Sequence, residues 1–430
     1  MDYRREEILQ GVFLTCIHTE KFKTGTLSVS LLTQLTRETA AANAVIPYVL
    51  RRGTVTMPDL EAIAARLDGL YGARIEPCVR KKGEIQCIGF RASFPEDAYV
   101  PEASGVLAQT ASAMGELLLA PVTRGGLLLP QYVDSEREKH IERIRGRINE
   151  KRSYSVLRLC ELMCPYEDYA VPAGGFEAEA ENIHYHRLTQ QWHDLLAVSP
   201  VELFYCGGMP FEQVREALIG TLDALPRGEL NFDIGTDVRM NTVEDAPRYF
   251  TESLDVTQGK LAMGYRLGEA MQEPDPAALR VFNAAFGGSV TSRLFMNVRE
   301  KLSICYFASS TLDYAKGVLL VSSGIDFDKY DLARERIGSE LAALARGELT
   351  DDELGAARAA VAGDLRAMED DAAQLDEYWL SRNLEGSECS PAELAALAES
   401  VTREQIADIA AQCALDAVYF LRGRDEQDAD

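Results

Sequence analysis

The sequence predicts an α+β protein made of two tandem homologous halves, each a mostly antiparallel sheet flanked by helices. Three observations lead there. An internal repeat at an offset of 235 residues carries Gly53 to Gly288 and Tyr71 to Tyr306, and one position off that register Gly25 and Gly83 find Gly259 and Gly317. Both halves open with a strand and a glycine turn, in HTEKFKTGTLSVSLL and in ESLDVTQGKLAMGYRL. Both close with a helical segment that returns to a last strand: ENIHYHRLTQQW leads into VELFYCGG, and ESVTREQIADIA leads into AVYFLRG.

Between those ends, each half reads as a helix, a small-residue turn (RRGT at 51–54, FGGS at 286–289), a second helix ending at the repeated tyrosine, and a hairpin. The hairpin turns are KKGE at 81–84 and YAKG at 314–317, where glycine supplies the left-handed backbone such turns need. In the first half Pro58 suits the first helical position, and Leu60, Ile63, Ala64, Leu67 and Tyr71 follow the three-to-four spacing of a buried face. Late in the chain three segments place a hydroxyl three residues before a Glu or Gln: Thr350 with Glu353, Ser390 with Glu393, and Thr402 with Gln405. Each predicts a capping box at a helix start. Residues 225–247 lack clean periodicity and read as a linker between a domain over 1–224 and another over 248–430.

Composition narrows the class. With 430 residues, 47% hydrophobic and 26% charged, the chain is globular and long enough for two or three domains. No run approaches 18 consecutive apolar residues, so no membrane span is expected. MDYRREEILQG carries no apolar signal region, and a cytoplasmic location is expected. A net charge of −24 opposes binding to nucleic acid. Like charge runs together only in short helical stretches and in the tail Asp425–Asp430. The cysteine count is nine, with no CxxC pair, so reduced buried thiols are expected; Cys160 and Cys164 lie one helical turn apart but no second pair matches them as a metal site. His184, His186 and His193 are the only clustered histidines and read as surface residues, while His18 and His140 stand alone. Gly174-Gly175 reads as a turn rather than a phosphate cradle.

One segment carries chemistry. Residues 287–310, GGSVTSRLFMNVREKLSICYFASS, place SRLF after a glycine turn, then Arg299-Glu300-Lys301, then Tyr306. This resembles the C-terminal signature of the M16 peptidases, the insulinase- and pitrilysin-like family, with Ser303 where the signature has glycine. The resemblance covers most of the chain and implies the family's two-half fold, shared with LuxS-like metallohydrolases. It also implies that Arg299 and Tyr306 face a substrate cleft: an arginine supplies fixed donors for a peptide carbonyl or carboxylate, and a tyrosine hydroxyl stabilises a forming oxyanion. A second reading leaves Arg299 as a solvated helix residue and Tyr306 as a packing residue, because Tyr71 occupies the repeated position in the half where the family has no catalytic tyrosine.

Active relatives also carry H-x-x-E-H on a first-half helix, two histidines on one face binding zinc and a glutamate as general base. Counting back from Gly53-Thr54 puts Ala44, Val45, Ile46, Pro47 and Tyr48 there. A methyl group and a pyrrolidine ring donate nothing to zinc, and a phenol with pKa near 10 is a poor ligand at neutral pH. If Glu136 matches the first of the family's downstream acidic pair, Arg143 stands seven residues on, where a guanidinium repels zinc.

The resemblance therefore implies a degenerate N-terminal domain over 1–224 and an Arg/Tyr-bearing C-terminal domain over 248–430, in the branch whose chains hold no zinc. Such a chain would pair with a zinc-bearing M16 subunit around a chamber for a peptide or unfolded polypeptide, with no cofactor of its own. The sequence is especially similar to bacterial insulinase-like proteins associated with aminopentanol modification of elongation factor P. The alternative is a purely structural or peptide-binding homologue, like the core proteins of respiratory complexes.

Overall fold

The computed structural model describes residues 2–101 and 105–424, so the acidic tail at 425–430 lies outside the described residues. The first part of the chain runs β1 (Asp2–Leu9), β2 (Val12–His18), β3 (Thr24–Gln34), α1 (Arg37–Leu50), α2 (Leu60–Asp68), β4 (Arg74–Lys82), β5 (Ile85–Pro95) and α3 (Val106–Leu119). The two-residue strands β6 (Thr123–Arg124) and β7 (Leu127–Leu128) lead to α4 (Pro130–Gly146), α5 (Lys151–Met163), α6 (Glu177–Glu181), α7 (Tyr185–Val198), β8 (Val201–Gly207) and α8 (Phe211–Leu222). After a stretch without helix or strand come β9 (Arg248–Leu254), β10 (Gly259–Arg266), α9 (Pro276–Asn283), β11 (Cys305–Asp313) and β12 (Val318–Ile325). The chain ends with α10 (Tyr330–Ala345), α11 (Asp351–Met368), α12 (Ala372–Leu384), α13 (Pro391–Ser400), α14 (Arg403–Gln412) and β13 (Ala414–Gly423). Two π-helical turns, Ala284–Gly288 and Leu294–Lys301, fill the interval between α9 and β11.

The larger sheets repeat one plan. The first has the order β1-β2-β8-β3-β5-β4 and the second β9-β13-β10-β12-β11. In each, one pair is parallel (β2 with β8, β9 with β13) and the others run antiparallel. Five strands of the first sheet thus match the five of the second in order and sense, and β1 is an added edge. β8 and β12 are buried along their whole length, as central strands covered on both faces must be. At the opposite edge, β4 carries Pro77, which an edge strand tolerates because a missing N–H is not needed there.

The chain divides into two compact units, and these depart from the sequence halves in two segments. One unit comprises residues 1–145, 171–235 and 370–387; the other comprises 146–170, 236–369 and 388–430. Helix α12, from late in the sequence, therefore belongs with the first sheet, and α5, from early in it, with the second.

Buried charge fixes each of these segments. In the first unit Asp376 of α12 is 1% exposed and accepts hydrogen bonds from Ser28 Oγ (2.9 Å), Arg80 Nη1 (2.9 Å) and Arg91 Nε (2.9 Å). Next to it, burial works to raise the Glu377 carboxyl, but the charges of Arg80 and Lys82 prevail and hold it down to about 2. Trp379 stacks on Tyr3 with centroids 4.0 Å apart. In the second unit the fully buried Arg266 donates to Asp416 (3.0 Å) and to Glu167 (2.6 Å), and Glu167 also pairs with Lys316 (2.7 Å). Met163 of α5 lies so close over β10 that a Cβ at Gly264 would fall 2.3 Å from its sulfur.

All three capping boxes form, at Thr350, Ser390 and Thr402. Both hairpin glycines take left-handed backbone, Gly83 at φ +58° and Gly317 at φ +68°. The readings at Pro58, Leu60, Ala64 and Tyr71 need correction. Helix α2 starts at Leu60, one residue after the N-cap Asp59, whose side chain accepts from Ala62 N (2.8 Å), so Pro58 stands outside. Only Ile63 and Leu67 of that stripe are buried, because so short a helix needs only one i, i+4 pair to dock; Leu60 is 43% and Tyr71 47% exposed. Tyr71 lies past the helix end at φ +58°. Tyr306 does not end a helix: it is the second residue of β11, after a reversal at Ser303 with φ +48°. The two repeated tyrosines are thus not conformational equivalents.

Candidate functional site

In the first unit, α1 and α4 carry the positions where the resemblance calls for zinc ligands. Helix α1 is built from alanines and apolar residues that bury its face: Ala44 and Pro47 are buried and Tyr48 is half-buried. Pro47 lies inside the helix, where it removes one backbone hydrogen bond. Asn43, one residue before Ala44, is fully buried and held by Gln86 (3.0 Å) and Gln191 (2.9 Å). On α4, Val133, Glu136 and His140 form the buried stripe, and Arg143 continues its line to the surface.

The two helices meet through these side chains. The Arg143 guanidinium stacks over the Tyr48 ring at 3.9 Å. Glu136, 5% exposed, accepts from Arg52 Nη1 (3.0 Å) and Lys139 Nζ (2.8 Å). Arg51 donates Nε to the carbonyl of Ile75 (2.7 Å). A hollow of about 400 Å³ opens among Tyr48, Arg51, Arg52, Glu136 and Lys139. A cation coordinated at this place would meet a methyl, a ring without donor atoms, a phenol and guanidinium groups, with Glu136 already engaged by two cations and only the exposed Glu76 besides. These residues do not fit zinc. Among the described residues no group of three or more His, Cys, Asp or Glu side chains could hold a metal ion.

The histidines fall elsewhere. His184, His186 and His193 are exposed on and beside α7, while His140 is buried with Nε2 2.7 Å from the carbonyl of Gly174. Gly175, at φ +65°, packs against α1, where a Cβ would lie 2.6 Å from Ala41 N; this is a close-packed turn. None of the nine cysteines is in a disulfide.

In the second unit the 287–310 segment folds as π-helical turn, reversal and strand. Gly287 is required by contact: a Cβ there would lie 2.6 Å from Ser310 Oγ. Arg293 is anchored to Glu353 (3.2 Å) and Glu340 (3.6 Å), which ties the turn to α11 and α10. Arg299 and Tyr306 lie on adjoining elements, because β11 packs back along the Leu294–Lys301 turn. Arg299 is partly exposed, over the Phe295 ring at 4.6 Å and 3.6 Å from Glu300. Tyr306 is 59% exposed and donates its hydroxyl to Asp326 (3.1 Å). That hydrogen bond, and then the Asp326 charge, raise the phenol above its ordinary value, so it stays a proton donor at neutral pH. Such exposure excludes a core-packing role for Tyr306.

Sequence reasoning missed Asp326 and the Arg51, Arg52 and Lys139 set. Asp326 lies 20 residues from Tyr306 across the β11–β12 hairpin. Arg51 and Arg52 directly follow α1, and only the packing of β4 and α4 reveals their partners, the Ile75 carbonyl and Glu136.

Residues 183–361 match the model of the family described as Peptidase M16 inactive domain. The chain is 30% identical over 414 residues to the probable inactive metalloprotease YmfF of Bacillus subtilis, covering 96% of each. Its structure is similar to that of a conserved protein from Enterococcus faecalis, with a TM-score of 0.87, 26% identity, and 99% of this chain and all of that one covered. A chain of Complex III2 from Candida albicans shares the fold at a TM-score of 0.73 and 12% identity, with 100% of this chain and 97% of that one covered.

Proposed function

The chain belongs to the M16 peptidase family as an inactive homologue, and from that premise we propose that it is a non-catalytic subunit of a heterodimeric M16 zinc peptidase. In this reading residues 1–224 are the degenerate domain, 225–247 the linker and 248–430 the domain that contributes Arg299 and Tyr306 to a peptide chamber shared with a zinc-bearing partner. The observation that carries it is an asymmetry. The ligand positions are filled by Ala44, Pro47 and the Tyr48–Arg143 stack, whereas Arg299 and Tyr306 stand exposed with their donors near solvent.

The chain's own chemistry in such a site is limited and definite. Arg299 presents a planar set of donors that would hold a peptide carbonyl or a carboxylate. Tyr306 would turn its hydroxyl from Asp326 towards an oxyanion as it forms. Zinc and the general base would belong to the partner. Among the described residues no helix is long and apolar enough to cross a membrane. An association with elongation factor P modification rests on the sequence likeness alone.

The test is co-purification with a zinc-bearing M16 chain, followed by peptide cleavage. The isolated protein should cleave nothing and the mixture should. In the mixture, Arg299→Ala and Tyr306→Phe should lower turnover about 100-fold each, the scale of one lost oxyanion donor, while the complex still elutes as one species. Full turnover in both variants would favour a purely structural or peptide-binding subunit.

A further inference from the structure

The hollow between α1 and α4 is cationic in a chain whose net charge is −24. Three basic residues line it, Arg51, Arg52 and Lys139, and a fourth, Arg143, stacks on the Tyr48 ring that forms one wall. Arg52 and Lys139 are offset by Glu136. Arg51 uses only Nε, on a backbone carbonyl, and Arg143 rests on an aromatic face. Neither has a carboxylate partner among the described residues. The facing carboxylate is Glu76, exposed on the edge strand β4. Two arginines held in place without acidic partners form a preorganised anion site, because their donors are already oriented and little side-chain entropy remains to be lost.

We infer that this hollow binds the carboxylate of an acidic side chain in an extended peptide. Its size lies at the small end of ligand sites, which run roughly 300–1,000 Å³, and suits one side chain with its neighbours. The Tyr48 ring, Pro77 and the 43% exposed Leu60 give the walls apolar surface, which favours a peptide over an inorganic anion. The overall negative charge opposes a polyanion such as nucleic acid but tolerates one carboxylate at a locally positive spot. This deepens the peptide-chamber reading and rests on it for the identity of the occupant, yet it belongs to the isolated chain and needs no catalysis.

The test uses the full chain alone and three fluorescein-labelled, C-terminally amidated hexapeptides that differ in one central residue: Glu, Gln or Lys. Anisotropy titration at low salt should give the Glu peptide at least tenfold tighter binding than the other two, with the advantage falling as salt rises. Arg143→Gln lies at the surface and should leave folding intact while removing most of that advantage; Arg51→Lys, which keeps the charge, should retain it in part. Equal binding of all three peptides would overturn the inference, as would a preference for the Lys peptide, which would assign Glu76 as the reading group. An unchanged Glu preference in Arg143→Gln would also overturn it. Loss of charge preference with intact cleavage in the mixture would sink this inference alone. Charge preference without cleavage in any mixture would sink the subunit reading alone.

Discussion

The region around α1 and α4 and the 287–310 segment carry the two sets of residues to which the family resemblance points, and their side chains are arranged in opposite ways. The first is closed: Ala44 and Pro47 are buried, Tyr48 is covered by Arg143, and Glu136 is neutralised by two cations. The second is open: Tyr306 on β11 is 59% exposed, and Arg299 is partly exposed on a turn with wider than α-helical backbone. In the closed region Glu136, Arg52 and Lys139 satisfy one another, so substitutions among them should be read in stability, whereas Arg51 and Arg143 beside the hollow should be read in binding. In the open region they satisfy little, so substitutions should be read in activity. Wide helical turns of this kind recur at functional sites, and Ser303 at φ +48° stores strain beside the pair.

That division can be broken by experiment. The largest effect expected is on turnover of the mixture with a zinc-bearing partner, where Tyr306→Phe should cost about 100-fold, roughly 2.7 kcal/mol of barrier, yet move the folding free energy by less than about 0.5 kcal/mol. A melting temperature that falls with the activity would erase the distinction. The pH profile sharpens the same point. Because hydrogen bonding to Asp326 raises the Tyr306 phenol, the protonated donor persists through neutral pH and is lost only above its raised value. The ratio of wild-type to Tyr306→Phe turnover should therefore stay constant from pH 7 to about 9, the upper bound being set by the ordinary tyrosine value near 10. A ratio that collapses before pH 8 would remove the donor role.

Next in size is Arg52→Ala, which leaves the buried Glu136 with Lys139 alone. It should destabilise the chain by about 1–3 kcal/mol in urea unfolding. Adding Glu136→Gln should recover part of the loss; additive losses would mean the pair is not coupled. Smaller again is Ser303→Gly, which relieves left-handed backbone and should raise stability by about 0.5–1 kcal/mol. A drop in stability would show that the Ser303 side chain contributes more than its backbone costs. Smallest is Tyr48→Leu, which should cost about 0.5 kcal/mol through loss of the Arg143 stack. No effect there would mean the stack is incidental.

Much of the fold was legible in local chemistry. Capping boxes at Thr350, Ser390 and Thr402 and the turns at Gly83 and Gly317 are short-range, so residues a few positions apart suffice to specify them. The signature around Arg299 and Tyr306 was legible as a string, and so was the absence of donors at Ala44 and Pro47. The end of α2 and the setting of Tyr71 and Tyr306 were not, since periodicity marks a face but cannot tell a one-sided surface helix from a buried one.

By itself the sequence determined the duplication, the α+β class and the chemistry no longer available at Ala44, Pro47 and Tyr48, because these depend on which atoms the chain carries and on near neighbours. The tertiary structure alone decided that α12 joins the first sheet and α5 the second, and that Arg143 lies on Tyr48 rather than in water. An apolar stripe will dock on any apolar face of the right width. Only assembled packing selects the one where Asp376 finds Arg80, 296 residues away, with both taken out of water.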